Sequence, residues 1–175
     1  MKVFISILCL ALTCAAFAQD VKVEFDKTKD YSFYKTFRFG ESEIVTPKEK
    51  KQITDAALHK IIRDAIEEEL FEKGIKKNDS SAELVITYVA GIFEHSERQN
   101  LGPLGTAPGQ SSQTWMNNYS QGELIIDIND VKSKNLIWRI NSQTNTSTPE
   151  AENYIDQVVD KGLKKFAVKP KAKKK

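Results

Sequence analysis

Cysteine is nearly missing from this chain: two occur among 175 residues, Cys9 and Cys14, both within the first eighteen. Once those eighteen are set aside, a disulfide, a cysteine nucleophile and a thiolate metal site are all excluded. Histidine is equally scarce, with only His59 and His95. A zinc site of the common kinds cannot be assembled from so few imidazoles and no thiol. No charge sign dominates, since 26 basic residues face 24 acidic ones. Beyond the first eighteen residues no apolar run is long enough to span a bilayer as a helix.

What is present begins with an address. The segment MKVFISILCLALTCAAFA has one charged residue, Lys2, then an apolar stretch from Val3 to Phe17, then Ala16-Phe17-Ala18. That is the anatomy of a signal peptide cut after Ala18, so residues 1–18 are expected to be removed and the protein exported to the periplasm or the outer membrane. The rival is lipid attachment at Cys14, which would make a lipoprotein. Ala11-Leu12-Thr13 fits a lipobox poorly, because Thr13 stands where a small residue is wanted. Removing Lys2 leaves 25 basic against 24 acidic residues, and removing the five lysines of the tail 169–175 as well leaves 20 against 24. A mildly acidic body argues against nucleic acid, which needs clustered Lys and Arg on an ordered face. The lysine tail is expected to be disordered, serving as a solubilising terminus or making weak contact with an anionic membrane surface.

Between leader and tail, residues 19–168 are expected to form a single α+β domain. Thr46-Pro47 with Glu49 announces a helix over Glu49–Lys73, striped by Ile53, Ala57, Ile61, Ala65 and by Leu58, Ile62, Ile66, Leu70. Gly74 is placed to take the left-handed conformation after it, with Ile75 folding back onto Leu70. Thr148-Pro149 opens a second helix carrying Ile155, Val158, Val159, Leu163 and Phe166. Alternating segments supply the sheet: Val21-Val23-Phe25, Tyr34 to Phe39, Glu83 to Phe93, Leu124-Ile126-Ile128 and Leu136-Trp138-Ile140. The last two form a hairpin turning near Lys132 to Asn135. The expected fold is a mainly antiparallel sheet of four to five strands with two long helices packed on one face. Residues 94–120, with Gly102-Pro103, Gly105, Pro108-Gly109 and a Gln/Ser/Asn-rich end, are expected to be a long flexible loop.

In order along the chain, Tyr34-Lys35-Thr36-Phe37, Lys73-Gly74-Ile75, Ala82 to Ile86, Gly122 to Ile128, Asp130 and Leu136-Ile137-Trp138-Arg139 resemble the bacterial cell-envelope family called domain of unknown function 4136. The resemblance implies an exported protein, often lipid-anchored, with no established activity. Glu123 departs from the pattern where a small polar residue is usual, and Ile140 where a glycine often follows Trp-Arg.

Chemistry-bearing candidates are few. Asp127 and Asp130 lie three apart on a strand, hence on opposite faces, so Asp130 is expected in the turn and Asp127 on the wet face. Glu94-His95-Ser96-Glu97 places the one histidine beside carboxylates, and a solvated charge patch explains it more simply than a metal; His59 is expected on a helix surface. Gly102, Gly105 and Gly109 lack the Lys-Ser/Thr of a phosphate loop, and no Gly-x-Ser-x-Gly elbow occurs. The aromatics from Tyr31 to Phe39 and Trp138 read as core. Trp115, Met116 and Tyr119, set among polar residues, are the candidate binding residues, because aromatic and Met side chains gather where partners dock. No catalytic residue, metal or cofactor is expected. The expected function is a non-catalytic domain binding an envelope protein or envelope component; the alternative is a small-ligand or lipid carrier with a pocket between helices and sheet.

Overall fold

The computed structural model describes residues 20–101, 113–145 and 151–167. The leader, the middle of the expected 94–120 loop, the Thr148 cap and the lysine tail lie outside the described residues. The strands are β1 (Asp20–Phe25), β2 (Thr36–Phe39), β3 (Glu43–Val45), β4 (Lys76–Lys77), β5 (Leu84–Leu101), β6 (Gln113–Asp130) and β7 (Leu136–Asn145); the helices are α1 (Asp55–Glu72) and α2 (Ala151–Leu163). They form one sheet in the order β1-β7-β6-β5-β2-β4, with β3 pairing β5 beyond β2.

The expected sheet is therefore corrected. It has seven strands and is mixed: β1, β7, β6 and β5 pair antiparallel, whereas β2 and β3 run parallel to β5, and β4 parallel to β2. The sheet dominates, and the helices have 18 and 13 residues. The parallel sense follows from connectivity, since α1 lies between the Phe37 strand and the Leu84 strand, and a crossover through a helix returns the chain in the same direction. β2 and β3 share one flank of β5, interrupted where Ser42 Oγ accepts the Tyr88 N–H at 3.1 Å in place of a backbone carbonyl.

α1 also starts later than Thr46-Pro47 predicts. Thr54 is its cap, accepting the Ala57 N–H on Oγ1 at 3.2 Å, while Lys48–Lys50 make a separate 3-10 turn. Two capping signals compete and the second starts the helix, leaving Lys50 free to reach the sheet. At the far end Gly74 has φ 77°, Ile75 donates to the Leu70 carbonyl and Gly74 to the Phe71 carbonyl, both at 2.9 Å. Those two bonds are a Schellman motif, and they bury Ile75 against Leu70.

One sheet face carries Leu84, Ile86, Tyr88, Leu124, Ile126, Ile128, Trp138 and Ile140, all buried with Ile62, Ile66 and Leu70 of α1 and Ile155, Val158 and Leu163 of α2. Trp138 is stacked on Phe25 at 4.0 Å, and its Nε1 donates to the Gly162 carbonyl at 3.1 Å. Ser142, the buried polar residue of the core, is satisfied by Tyr154 Oη at 2.9 Å. His59 is not a free surface group: its Nδ1 lies 2.7 Å from the Tyr88 hydroxyl, to which Arg63 Nε also donates at 3.2 Å.

Candidate functional site

The pairing limits of the sheet define the most distinctive feature of the molecule. β3 follows β5 only as far as Gly91, and β7 follows β6 only from Gln121 onward, yet β5 and β6 stay paired from Leu84↔Asp130 to Leu101↔Gln113. Eight residues of each strand, Glu94–Leu101 and Gln113–Ser120, thus continue as a two-stranded arm about 27 Å long. Much of the stretch expected as a loop is strand. Its alternation is of polar residues, so the period-2 signal that hydrophobicity gives elsewhere is missing.

Side chains pin the base of the arm from both faces. On the helix face, Lys50 Nζ donates to Glu94 Oε1 at 2.7 Å and to Ser120 Oγ at 2.5 Å, and the ammonium holds the Glu94 carboxyl below the usual range. Ser96 Oγ meets Asn118 Oδ1 at 2.6 Å in the next pair. On the opposite face His95 Nε2 lies 2.7 Å from Glu123 Oε1, and the imidazole stacks on Tyr119 at 5.4 Å. The Tyr119 hydroxyl donates to Glu97 Oε1 at 2.9 Å, and that bond raises its pKa.

Beneath the arm, between the N-terminal ends of both helices and the sheet, lies a half-open apolar cavity of about 150 Å³. Ile44, Leu58, Ala90, Ile92, Leu124 and Ile155 line it, with Lys50 at the rim. Two glycines shape its floor. Gly91 has φ 152°, and a Cβ there would come within 1.8 Å of the Val45 carbonyl oxygen; Gly122 faces Thr144.

The candidate residues distribute as follows. Tyr119 is in the arm on the His95 face, and Met116, 52% exposed, is on the other face three residues away. Trp115 pairs with Gln99 in the ladder. Met116 and Tyr119 therefore do not share one patch. Glu94 and His95, adjacent in sequence, are likewise split between faces, and among the described residues no group of three His, Cys, Asp or Glu side chains is placed to hold a metal. Asp127 forms a bidentate pair with Arg139, at 2.7 and 2.6 Å, on the open face. Asp130 shapes the β6–β7 turn, accepting the Ser133 N–H and the Tyr34 hydroxyl. Lys50 and Glu123 were missed as site residues; the signal for Glu123 was its departure from the family pattern, and Lys50 carried none.

No curated protein matches the chain. Solved structures share its fold at low identity. A PDZ domain protein from Parabacteroides distasonis matches at TM-score 0.52 and 16% identity, over 89% of this chain and 36% of that one, so the chain spans about a third of that protein. A DUF4136 family protein from Bacteroides thetaiotaomicron matches at TM-score 0.53 and 13% identity, over 84% of this chain and 95% of that one. A PelC dodecamer from Paraburkholderia phytofirmans matches at 0.50 and 8%, over 86% and 99%. The family model described as a domain of unknown function, DUF4136, matches residues 21–166, and the chain belongs to that family.

Proposed function

We propose that this chain is an exported, non-catalytic binding domain of the bacterial cell envelope, and that the β5–β6 arm is its docking element for an envelope protein or envelope component. The observation that supports this is the arm itself. A two-stranded ribbon standing clear of its sheet gains little stability alone, and its outer backbone groups can hydrogen-bond an added strand. The leader supports export, with processing after Ala18. The arm is tested by replacing residues 98–116 with Asn-Gly, which closes Glu97↔Asn117 as a tight turn. Melting temperature should stay within a few degrees, while partner recovery after crosslinking in the envelope is lost; unchanged recovery refutes the role of the arm.

The cavity supports a second use, as a carrier of a small apolar ligand. A half-open cavity of about 150 Å³ with this apolar floor has room for a single ring the size of benzene. Native mass spectrometry of protein purified without detergent should then show a one-to-one adduct, absent from Ala90→Phe, which fills the cavity. An unladen wild-type spectrum refutes the carrier.

A further inference from the structure

The two outer edges of the arm differ in chemistry. Along β5, residues 94–98 read Glu-His-Ser-Glu-Arg, a charged run of the kind that keeps an exposed edge hydrated and unpaired. Along β6, Gln113-Thr114-Trp115-Met116-Asn117-Asn118-Tyr119-Ser120 contains no Lys, Arg, Asp, Glu, Pro or Gly. Among the described residues nothing pairs with the outer side of those eight, because β7 ends opposite Gln121. This edge carries, among the described residues, none of the devices that ordinarily prevent strand addition.

We infer that the β6 edge of the arm pairs antiparallel with the same edge of a second copy of this chain, closing a two-fold dimer through a four-stranded ribbon. A second copy is the occupant the edge fits. Antiparallel self-pairing centred on Asn117 sets Asn117 against its own counterpart, Met116 against Asn118 and Trp115 against Tyr119, so no like charges meet across the seam. Half of the eight residues direct both N–H and C=O outward, giving about eight hydrogen bonds between two copies. The geometry is open as well, since antiparallel overlap of two arms about 27 Å long leaves the two bodies at opposite ends. Four strands replace a two-stranded ribbon, a more stable arrangement. This pairing is separate from capture of an envelope partner, for which both faces of the arm remain.

Sedimentation velocity of the chain expressed with its leader, processed after Ala18 and purified free of Cys9 and Cys14, tests the inference between micromolar and hundreds of micromolar. A discrete dimer is expected. Asn117→Lys, which brings two ammonium groups to the seam, should weaken dimerisation by about tenfold or more without changing the circular dichroism spectrum. Asn117→Cys should form an inter-copy link with a short bismaleimide, whereas Ser133→Cys, on the exposed β6–β7 turn, and the wild-type chain should not. A monomer throughout, assemblies larger than two, or Asn117→Lys dimerising like wild type would each overturn the inference. Envelope-partner capture unchanged by removal of the arm, with dimerisation of the wild-type chain intact, would instead refute the proposed function alone.

Discussion

Three glycines to alanine, made one at a time, should separate three physical causes of destabilisation at nearly constant chemistry. At Gly74 an added Cβ meets nothing within 4 Å, but φ is 77°, so the cost is the left-handed backbone alone, about 1 kcal/mol. At Gly122 the added Cβ would touch Thr144 Cγ2 at 3.0 Å, a methyl that a rotamer change can move. The gain from stiffening the unfolded chain offsets that contact, and the net change should be below about 0.5 kcal/mol. At Gly91 the Cβ falls 1.8 Å from the Val45 carbonyl oxygen and 2.5 Å from its carbon, which are backbone atoms of a paired strand. Either β3 lifts from β5, losing a few ladder hydrogen bonds worth about 1 kcal/mol each, or β5 strains by a similar amount, so about 3 kcal/mol is expected. Urea unfolding at constant slope should shift the midpoint by about 1.5 M for Gly91→Ala at a slope near 2 kcal/mol/M, and barely for Gly122→Ala. Amide exchange should then speed up at β3 more than in β6 or β7. Equal costs at Gly91 and Gly122 would refute the close approach of β3 to β5, and with it the wall of the cavity.

Asp127 and Arg139 should show a coupling of about 0.5 to 1 kcal/mol in a double-alanine cycle, smaller at 1 M salt, and strict additivity would refute their pairing. Hydrogen bonds from Ser133, chiefly its N–H, and from the Tyr34 hydroxyl hold the Asp130 carboxyl below its ordinary range. Its contribution is therefore present above about pH 4 and lost as pH falls through the lower folded value. The wild-type advantage over Asp130→Asn in urea midpoint should shrink between pH 5 and pH 2, and a constant gap would refute that role. Edman sequencing of protein recovered from the envelope should begin at Gln19; an N-terminus blocked at Cys14 would establish lipid attachment instead.

The parts of the fold visible in the sequence are those where a side chain and its secondary structure share one cause. Gly74 and Ile75 are examples, because a left-handed residue followed by an apolar one can do little else at a helix end. The buried rows of β6 and β7 are others, since Ile126, Ile128, Trp138 and Ile140 alternate with Asp127 and Arg139. Leu136 breaks that pattern, 43% exposed, because the ladder shifts register between Ile128 and Asn129. What escaped notice depends on partners distant in sequence. β4 is two lysines whose only strand credential is the neighbouring β2, and β3 is three residues laid on β5. The helix between the Phe37 and Leu84 strands did announce a parallel crossover, and it is the feature from which the mixed sheet could have been deduced. The arm was obscured by composition, since polar residues alternate as well on a two-sided wet ribbon as they do in no structure at all. Tyr119 is tied to the arm's base through His95 and Glu97.

The core and the arm draw their stability from different sources. The buried rows end at Ala90 and Leu124, and beyond them the described residues of the hairpin contribute no fully buried side chain. What orients the arm is a ring of polar contacts, Lys50 with Glu94 and Ser120 on one face and His95 with Glu123 on the other. Each is partly solvated and weakened by salt, against a core of two dozen buried apolar side chains among the described residues. Changes along the arm therefore cost the fold little, while the contacts at its base still fix the direction in which it points. Under the proposed docking role that division matters: residues 94–101 and 113–120 can vary to match a partner while the domain beneath them remains folded.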